Sequence, residues 1–307
     1  MRILFMGTPD IAAKCLEIML ENGLNVVGAV SQPDRPKGRG HKLMPTDVKL
    51  AAEKANIPVF QPEKIKSGEL MPVLEDLKPD IIAVVAYGKI LPKYVLDFAK
   101  LGCINMHASL LPKLRGAAPI QWAVINGERE TGVTTMLMDE GLDTGDMLLC
   151  EKIEIGEYET SEELFCRIAE LGGELLTKTI KNIENITPVK QPKGEESYAP
   201  MITKEMAHID WSEPTEKISK LICGMNSWPM AYAFYKDEQV KVISAVKGGA
   251  CKGENGEIVG LTKGKGLQVK TPDGSIYIKE LQFAGKKRML AEDYLRGNSI
   301  EFGTVLR

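Results

Sequence analysis

An amide, an imidazole and a carboxylate can together carry an acyl transfer. One donates a hydrogen bond to a developing oxyanion, one handles a proton, and one orients the imidazole and fixes its charge. The chain offers such a set. Asn105 and His107 stand in Asn105-Met106-His107-Ala108-Ser109-Leu110-Leu111-Pro112-Lys113-Leu114-Arg115-Gly116, and Asp143 follows in Gly141-Leu142-Asp143-Thr144-Gly145-Asp146. The apolar Gly102-Cys103-Ile104 precedes them, so period two aims Asn105 and His107 to one side of a strand end and Met106 to the other. A lone histidine is more often structural than catalytic, yet only His41, His107 and His208 occur here, and one stands in this string. Asp143 lies among turn-forming residues, a setting compatible with catalysis because loops carry active sites. Asp146 ranks second as the carboxylate.

The elements that must position these groups alternate between strand and helix patterns in the first part of the chain. Arg2 to Met6 and Asn25 to Val30 are short strand-like runs, with a helical spacing from Ile11 to Leu20 between them. Asp10 is a reasonable N-cap and Gly23 a C-cap for that helix. Val48 to Ala55 predicts a helix, Pro58-Val59-Phe60 a short strand, and Asp80 to Ala86 a buried strand. Pro119 to Ile125 starts with proline in a first helical turn. Such alternation argues for a doubly wound, mostly parallel sheet, with Asn105 to Pro112 beyond the carboxyl end of a strand, where such sheets bind ligands. Between Ile186 and Met206, prolines, glycines and charges interrupt all periodicity, which suggests a linker. Glu213 to Gly224 then looks helical. Further on, Gly266 to Lys270 and Ser275 to Lys279 alternate around Pro272-Asp273-Gly274, a hairpin signal in a β-rich region that fits a small barrel.

Several chemistries are excluded. Gly7-Thr8-Pro9-Asp10 lacks the remaining glycines of a dinucleotide turn, and Pro9 removes a backbone donor. Neither a phosphate-binding P-loop nor a Gly-x-Ser-x-Gly elbow occurs. The six scattered cysteines form no Cys-x-x-Cys pair, so neither a zinc site nor a disulfide framework is signalled and no metal is expected. Apolar residues at 44% and charged ones at 26% suit a globular protein. No apolar run approaches the roughly 20 residues of a membrane span, and Arg2 to Met6 is too short for a signal segment. A cytoplasmic monomer is the expectation. The net charge of −3 hides an asymmetry, because residues 207–307 hold 15 Lys or Arg against 12 Asp or Glu. Residues 31–49 carry five Lys or Arg against two Asp, in a stretch whose prolines and glycines predict no regular element. It is long for a strand-to-helix connection, and such loops are often functional.

The pattern Asn105-x-His107-x-Ser109-Leu110-Leu111-Pro112-x-x-Arg115-Gly116, followed by Asp143-x-Gly145-Asp146, resembles the signature of the 10-formyltetrahydrofolate-dependent formyltransferases. The resemblance runs from Gly7-Thr8-Pro9-Asp10 to Ala284-Gly285-Lys286-Lys287 and is nearest to members that act on initiator methionyl-tRNA. It implies a Rossmann-like α/β catalytic domain over 1–187, a linker over 188–206, and a smaller OB-like β-barrel that binds tRNA over 207–307. It also implies 10-formyltetrahydrofolate as formyl donor. Its pterin ring would be held by the backbone at Tyr87, Gly88, Ile90 and Leu91 and by Asp139 and Gly141, with Ser109, Leu110, Leu111 and Pro112 lining the rest of the site. Asn105 and a protonated His107 would donate to the oxyanion, with Asp143 steadying the imidazole and accepting the amine proton through a water. The basic stretch matches an insertion that enters the tRNA acceptor stem, which points to Arg35, Lys37, Arg39 and Lys42. Lys286, Lys287 and Arg288 form a second basic cluster suited to a tRNA backbone. Two other readings stay open. One is a formyltransferase for a small amine such as a sugar nucleotide or glycinamide ribonucleotide, and the other is a non-catalytic RNA-binding factor.

Overall fold

A computed structural model describes residues 1–37 and 42–307. The chain divides into two compact units. The first comprises Met1–Pro119, Thr131–Ile153 and Phe165–Ala199, and the second Ile120–Glu130, Glu154–Leu164 and Pro200–Arg307. In chain order the elements of the first half are β1 (Ile3–Gly7), α1 (Asp10–Glu21), β2 (Val26–Val30), β3 (Arg35–Lys37), β4 (Lys42–Met44), α2 (Asp47–Lys54), β5 (Val59–Phe60), α3 (Met71–Leu77), β6 (Ile81–Val85), α4 (Lys93–Leu96), β7 (Cys103–His107), β8 (Arg115–Gly116), α5 (Pro119–Ile125), β9 (Glu130–Leu137) and β10 (Met147–Glu154). There follow α6 (Ser161–Lys181), β11 (Tyr198–Ala199), α7 (Thr215–Gly224), β12 (Tyr232–Tyr235), β13 (Glu238–Gly248), β14 (Ile258–Thr262), β15 (Gly266–Thr271), β16 (Gly274–Phe283), β17 (Met289–Leu290) and α8 (Ala291–Gly297).

Seven strands of the first unit form one sheet in the order β10-β9-β7-β6-β1-β2-β5. The pairs from β5 to β7 are parallel, and β9 runs antiparallel to β7. β1, β6 and β7 are buried at every position, as strands covered on both faces must be. Each large apolar side chain removed from water there contributes roughly 1.5–3 kcal/mol. β7 breaks its apolar run only at Asn105 and His107, at the carboxyl end. Met106 points the other way, against α6, where a Cβ on Gly172 would meet its sulfur at 2.9 Å. The alternation expected at this strand end therefore holds.

Three local expectations change. α1 begins at Asp10, with Pro9 as the extended cap residue, and the Asp10 carboxylate accepts the Ile11 N–H at 2.9 Å. The basic stretch is not irregular throughout, because β3 and β4 pair antiparallel, Arg35 with Met44 and Pro36 with Leu43. Contacts distant in sequence hold its base together. Ser31 and Thr46 hydroxyls meet at 2.6 Å, Lys49 Nζ reaches Asp34 at 2.6 Å, and Gln61 donates to Asp34 at 2.7 Å. These partners keep the Asp34 carboxyl below its usual range, chiefly through Gln61. Finally, the stretch read as a linker is docked along its first half. Val189 and Met147 exchange backbone hydrogen bonds, and β11 pairs in parallel with β8.

The second unit carries the expected β-rich region, a six-stranded sheet in the order β12-β13-β16-β15-β14, with β17 on β16 and antiparallel pairing throughout. The predicted hairpin is present, with Thr271 opposite Gly274 across Pro272-Asp273. The Asp273 carboxylate accepts both the backbone N–H and the hydroxyl of Thr215, at 2.8 and 2.6 Å, and so anchors the start of α7 on that turn. Among the described residues no helix is long and apolar enough to cross a membrane, and no group of three His, Cys, Asp or Glu side chains is placed to hold a metal. Burial pushes the Cys15 and Cys103 thiols up to about 12 and Cys223 to about 11, which makes them inert core groups.

Candidate active site

Beyond β7 the chain turns through Ala108 to Leu114 into β8, and this loop is pinned from beneath by Thr134 on β9. Thr134 lies opposite His107 in register. Its hydroxyl donates to the Ser109 carbonyl at 2.7 Å and accepts the Leu111 N–H at 3.1 Å. Ser109 is fully buried and spends its own hydroxyl on the Lys113 carbonyl at 2.6 Å, so it shapes the loop. Thr134→Val keeps the side chain's outline but removes both bonds within a buried site. It should cost about 1–3 kcal/mol of stability and lower turnover, as checked by denaturant unfolding and a single-turnover assay.

Asn105 and His107 stand two residues apart on the same face of β7, and Asp143 approaches His107. Asn105 and His107 are 9% and 6% exposed. His107 Nε2 lies 2.9 Å from the Leu114 carbonyl, and Nδ1 lies 3.7 Å from Asp143 Oδ2. A carbonyl only accepts, so Nε2 carries a hydrogen in this arrangement and Nδ1 faces the carboxylate. The same Asp143 oxygen accepts the Gly116 N–H at 2.8 Å. Asp143 adopts a left-handed backbone, φ 54°, which aspartate tolerates better than most residues. The Asn105 side-chain amide makes no hydrogen bond among the described residues, which leaves a donor free for an incoming ligand.

The residues expected around a folate divide. Leu111 and Pro112 are buried, and half-buried Leu110 packs toward Gly132 of β9. The Tyr87 side chain belongs to the apolar core with Leu4, Met6 and Leu91, and burial pushes its phenol up to about 12. Its carbonyl is met by the Thr8 hydroxyl at 3.0 Å. Of that segment only Gly88 and Ile90 are exposed, Ile90 to 65%. Asp139 folds the later loop by accepting the Gly141 N–H and the Thr144 hydroxyl at 2.9 and 2.7 Å. Across the mouth of these loops Lys93 reaches Glu140 at 3.3 Å.

The basic residues are more dispersed. Arg35 is exposed on β3, the backbones of Lys37 and Lys42 pair at the ends of β3 and β4, and Arg39 lies outside the described residues. Lys286 and Lys287 are exposed, whereas Arg288 is engaged by Glu280.

Sequence reasoning left Arg115, Thr134, Gln191 and Ser197 without roles. The Leu114 N–H donates to Ser197 Oγ and the Arg115 N–H to the Ser197 carbonyl, both at 2.9 Å. Arg115 stands in the signature string and could have been suspected. Gln191 and Ser197 carry no local signal at all.

Residues 1–180 match the family described as formyl transferase, and residues 201–299 match the formyl transferase C-terminal domain. The chain belongs to the formyl transferase family. It is 49% identical over 309 residues to a methionyl-tRNA formyltransferase of Alkaliphilus oremlandii, covering 100% of this chain and 99% of that one. It is 48% identical over 311 residues to the enzyme of that name from Clostridium novyi, covering both chains in full. Solved structures share the formyl transferase fold at lower identity. An N-formyltransferase of Helicobacter canadensis, in complex with folinic acid and dTDP-3-aminofucose, superposes with a TM-score of 0.63 at 21% identity, over 89% of this chain and 97% of that one. HypX of Aquifex aeolicus in complex with tetrahydrofolic acid gives a TM-score of 0.64 at 18% identity. That superposition covers 98% of this chain, which spans about half the length of HypX (50%).

Proposed function

We propose that the protein transfers the formyl group of 10-formyltetrahydrofolate to the free amino group of methionine on initiator methionyl-tRNA. The observation that carries this reading is the end-to-end likeness, at 46–49% identity, to relatives named methionyl-tRNA formyltransferase. The approach of Asp143 to His107, with Asn105 two residues earlier on the same face of β7, supports it chemically. The tRNA acceptor is further supported by the basic pair of strands β3 and β4 and by the exposed Lys286 and Lys287, since a small amine requires neither.

In the reaction the amine lone pair forms a bond to the formyl carbon, and the carbonyl π pair moves onto oxygen. Collapse of that tetrahedral species breaks the bond to N10 of the folate, which takes up a proton as the amine gives one up. Asn105 is the unengaged donor for the oxyanion. His107 is held by Leu114 at Nε2, so the nitrogen free to take a proton is Nδ1. On gaining it, the imidazolium faces the Asp143 carboxylate at ion-pair distance, 3.7 Å, and positive charge sits beside the oxyanion while it lasts. This shifts the part assigned to His107 from a direct donor toward a charge-bearing proton acceptor.

The test is a single-turnover assay with 10-formyltetrahydrofolate and three acceptors in parallel: methionyl-tRNA, glycinamide ribonucleotide and an amino-sugar nucleotide. Formyl transfer to methionyl-tRNA alone is expected. Transfer to a small amine with none to the tRNA would replace the proposed acceptor, and no transfer to any of them would favour a binding role.

A further inference from the structure

We propose that Gln191 is a positioning residue for Asp143, coupling the turn that carries this carboxylate to the buried charge of Arg115. The proposal rests on the catalytic reading of Asp143 given above. Gln191 sits in the aperiodic stretch between the α/β and β-rich regions, two residues beyond the point where Val189 pairs with Met147. Its side-chain amide is fully used. Oε1 accepts from Arg115 Nε at 3.1 Å and Nη2 at 2.6 Å. Nε2 donates to the Asp143 carbonyl and to the Gly145 carbonyl, both at 2.8 Å. A guanidinium only donates and a carbonyl only accepts, so the amide has one orientation that satisfies all four bonds.

Two features turn this from packing into positioning. Asp143 has φ 54°, a conformation its flanking residues must hold in place, and Gln191 grips the backbone on both sides of Thr144. The adjoining dipeptide of β8 holds Asp143 from its other end, because the Gly116 N–H donates to the carboxylate itself. Arg115 and Gly116 therefore fix the carbonyl side of Asp143 through Gln191 and the carboxylate directly. The positive guanidinium draws electron density from the amide oxygen and so strengthens the two donations from Nε2.

Gln191→Glu separates this role from simple packing. The glutamate keeps the size and the acceptor for Arg115, but offers oxygen where two carbonyls need N–H. Gln191→Ala removes both halves. In single-turnover and steady-state assays of the full chain, Q191E is expected to lose about tenfold or more in kcat, since small misplacements of catalytic groups are costly. The KM for donor and acceptor should stay within about twofold, with the rate normalised to folded protein. In the double variant D143A/Q191A, the rate should match D143A alone. A kcat of Q191E within about twofold of wild type would overturn the proposal, as would a loss that adds in full to that of D143A. An Asp143→Ala enzyme with wild-type rate would instead remove the catalytic reading on which the proposal stands.

Discussion

Replacing Asn105 by alanine is expected to slow single-turnover formyl transfer by about 10²–10³-fold, the ~2.7–4 kcal/mol typical of one lost oxyanion donor. The side chain is 9% exposed and engages no other group among the described residues, so its removal should leave the fold intact. His107→Ala should be at least as slow, and Asp143→Ala should follow it. The losses of His107 and Asp143 should not add, because Nδ1 of one faces Oδ2 of the other at 3.7 Å and the pair acts as a unit. Rapid-quench measurement of the first turnover, with both substrates saturating, separates the chemical step from binding. Rates close to wild type in all three variants would remove the proposed mechanism.

The second large effect is expected at Gly145. A Cβ there would lie 1.6 Å from the Leu137 carbonyl oxygen, and 2.8 Å from its carbon. That oxygen cannot retreat easily, since Leu137 ends β9 and its own N–H donates to the Asp146 carbonyl at 2.9 Å. The turn must therefore move. With it go the Gly145 carbonyl that Gln191 holds and, two residues earlier, the Asp143 carboxylate. Gly145→Ala should cost about 3 kcal/mol or more of stability. The fraction that stays folded should be slower by more than about 100-fold, because the carboxylate leaves its place beside the imidazole. Urea unfolding and a rate normalised to folded protein measure the two parts. Gly260→Ala, with nothing within 4 Å of its added Cβ, is the control and should change neither quantity appreciably. A Gly145→Ala enzyme with normal midpoint and rate would show that the turn has room the structure denies it.

Much of the fold was legible because its causes are local. Unbroken apolar runs at Ile3–Gly7 and Ile81–Val85 required strands covered on both faces, and the 3.6-residue spacing after Pro9 required a helix against them. Pro272-Asp273 between two alternating runs required a hairpin. The Asn105-x-His107 spacing at the end of an apolar strand is by itself enough to put both side chains on one face. The misreadings have a common origin in contacts between distant residues. The base of the basic stretch is closed by Lys49 at its own far end and by Gln61, which lies after it in the chain, so composition alone described it as a loop. The resemblance gave Tyr87 a ligand contact through its backbone only, and its ring completes the core beneath β6, a packing role that no local pattern announces. The stretch from 188 to 199 has no periodicity because side-chain bonds to Arg115, Leu114 and Asp143 shape it.

By itself the sequence determined the strand-and-helix order, the chemistry-bearing residue types, and the family to which the chain belongs, since period and motif are properties of neighbouring residues. Tertiary structure alone decided that Asp143, 36 positions after His107, faces its Nδ1 at 3.7 Å. It also decided that Leu114 occupies Nε2, and that Gln191 grips the turn that carries the carboxylate. Those relations follow from the closure of long loops over a common sheet, and no local pattern records which distant groups such closure will bring within a hydrogen bond.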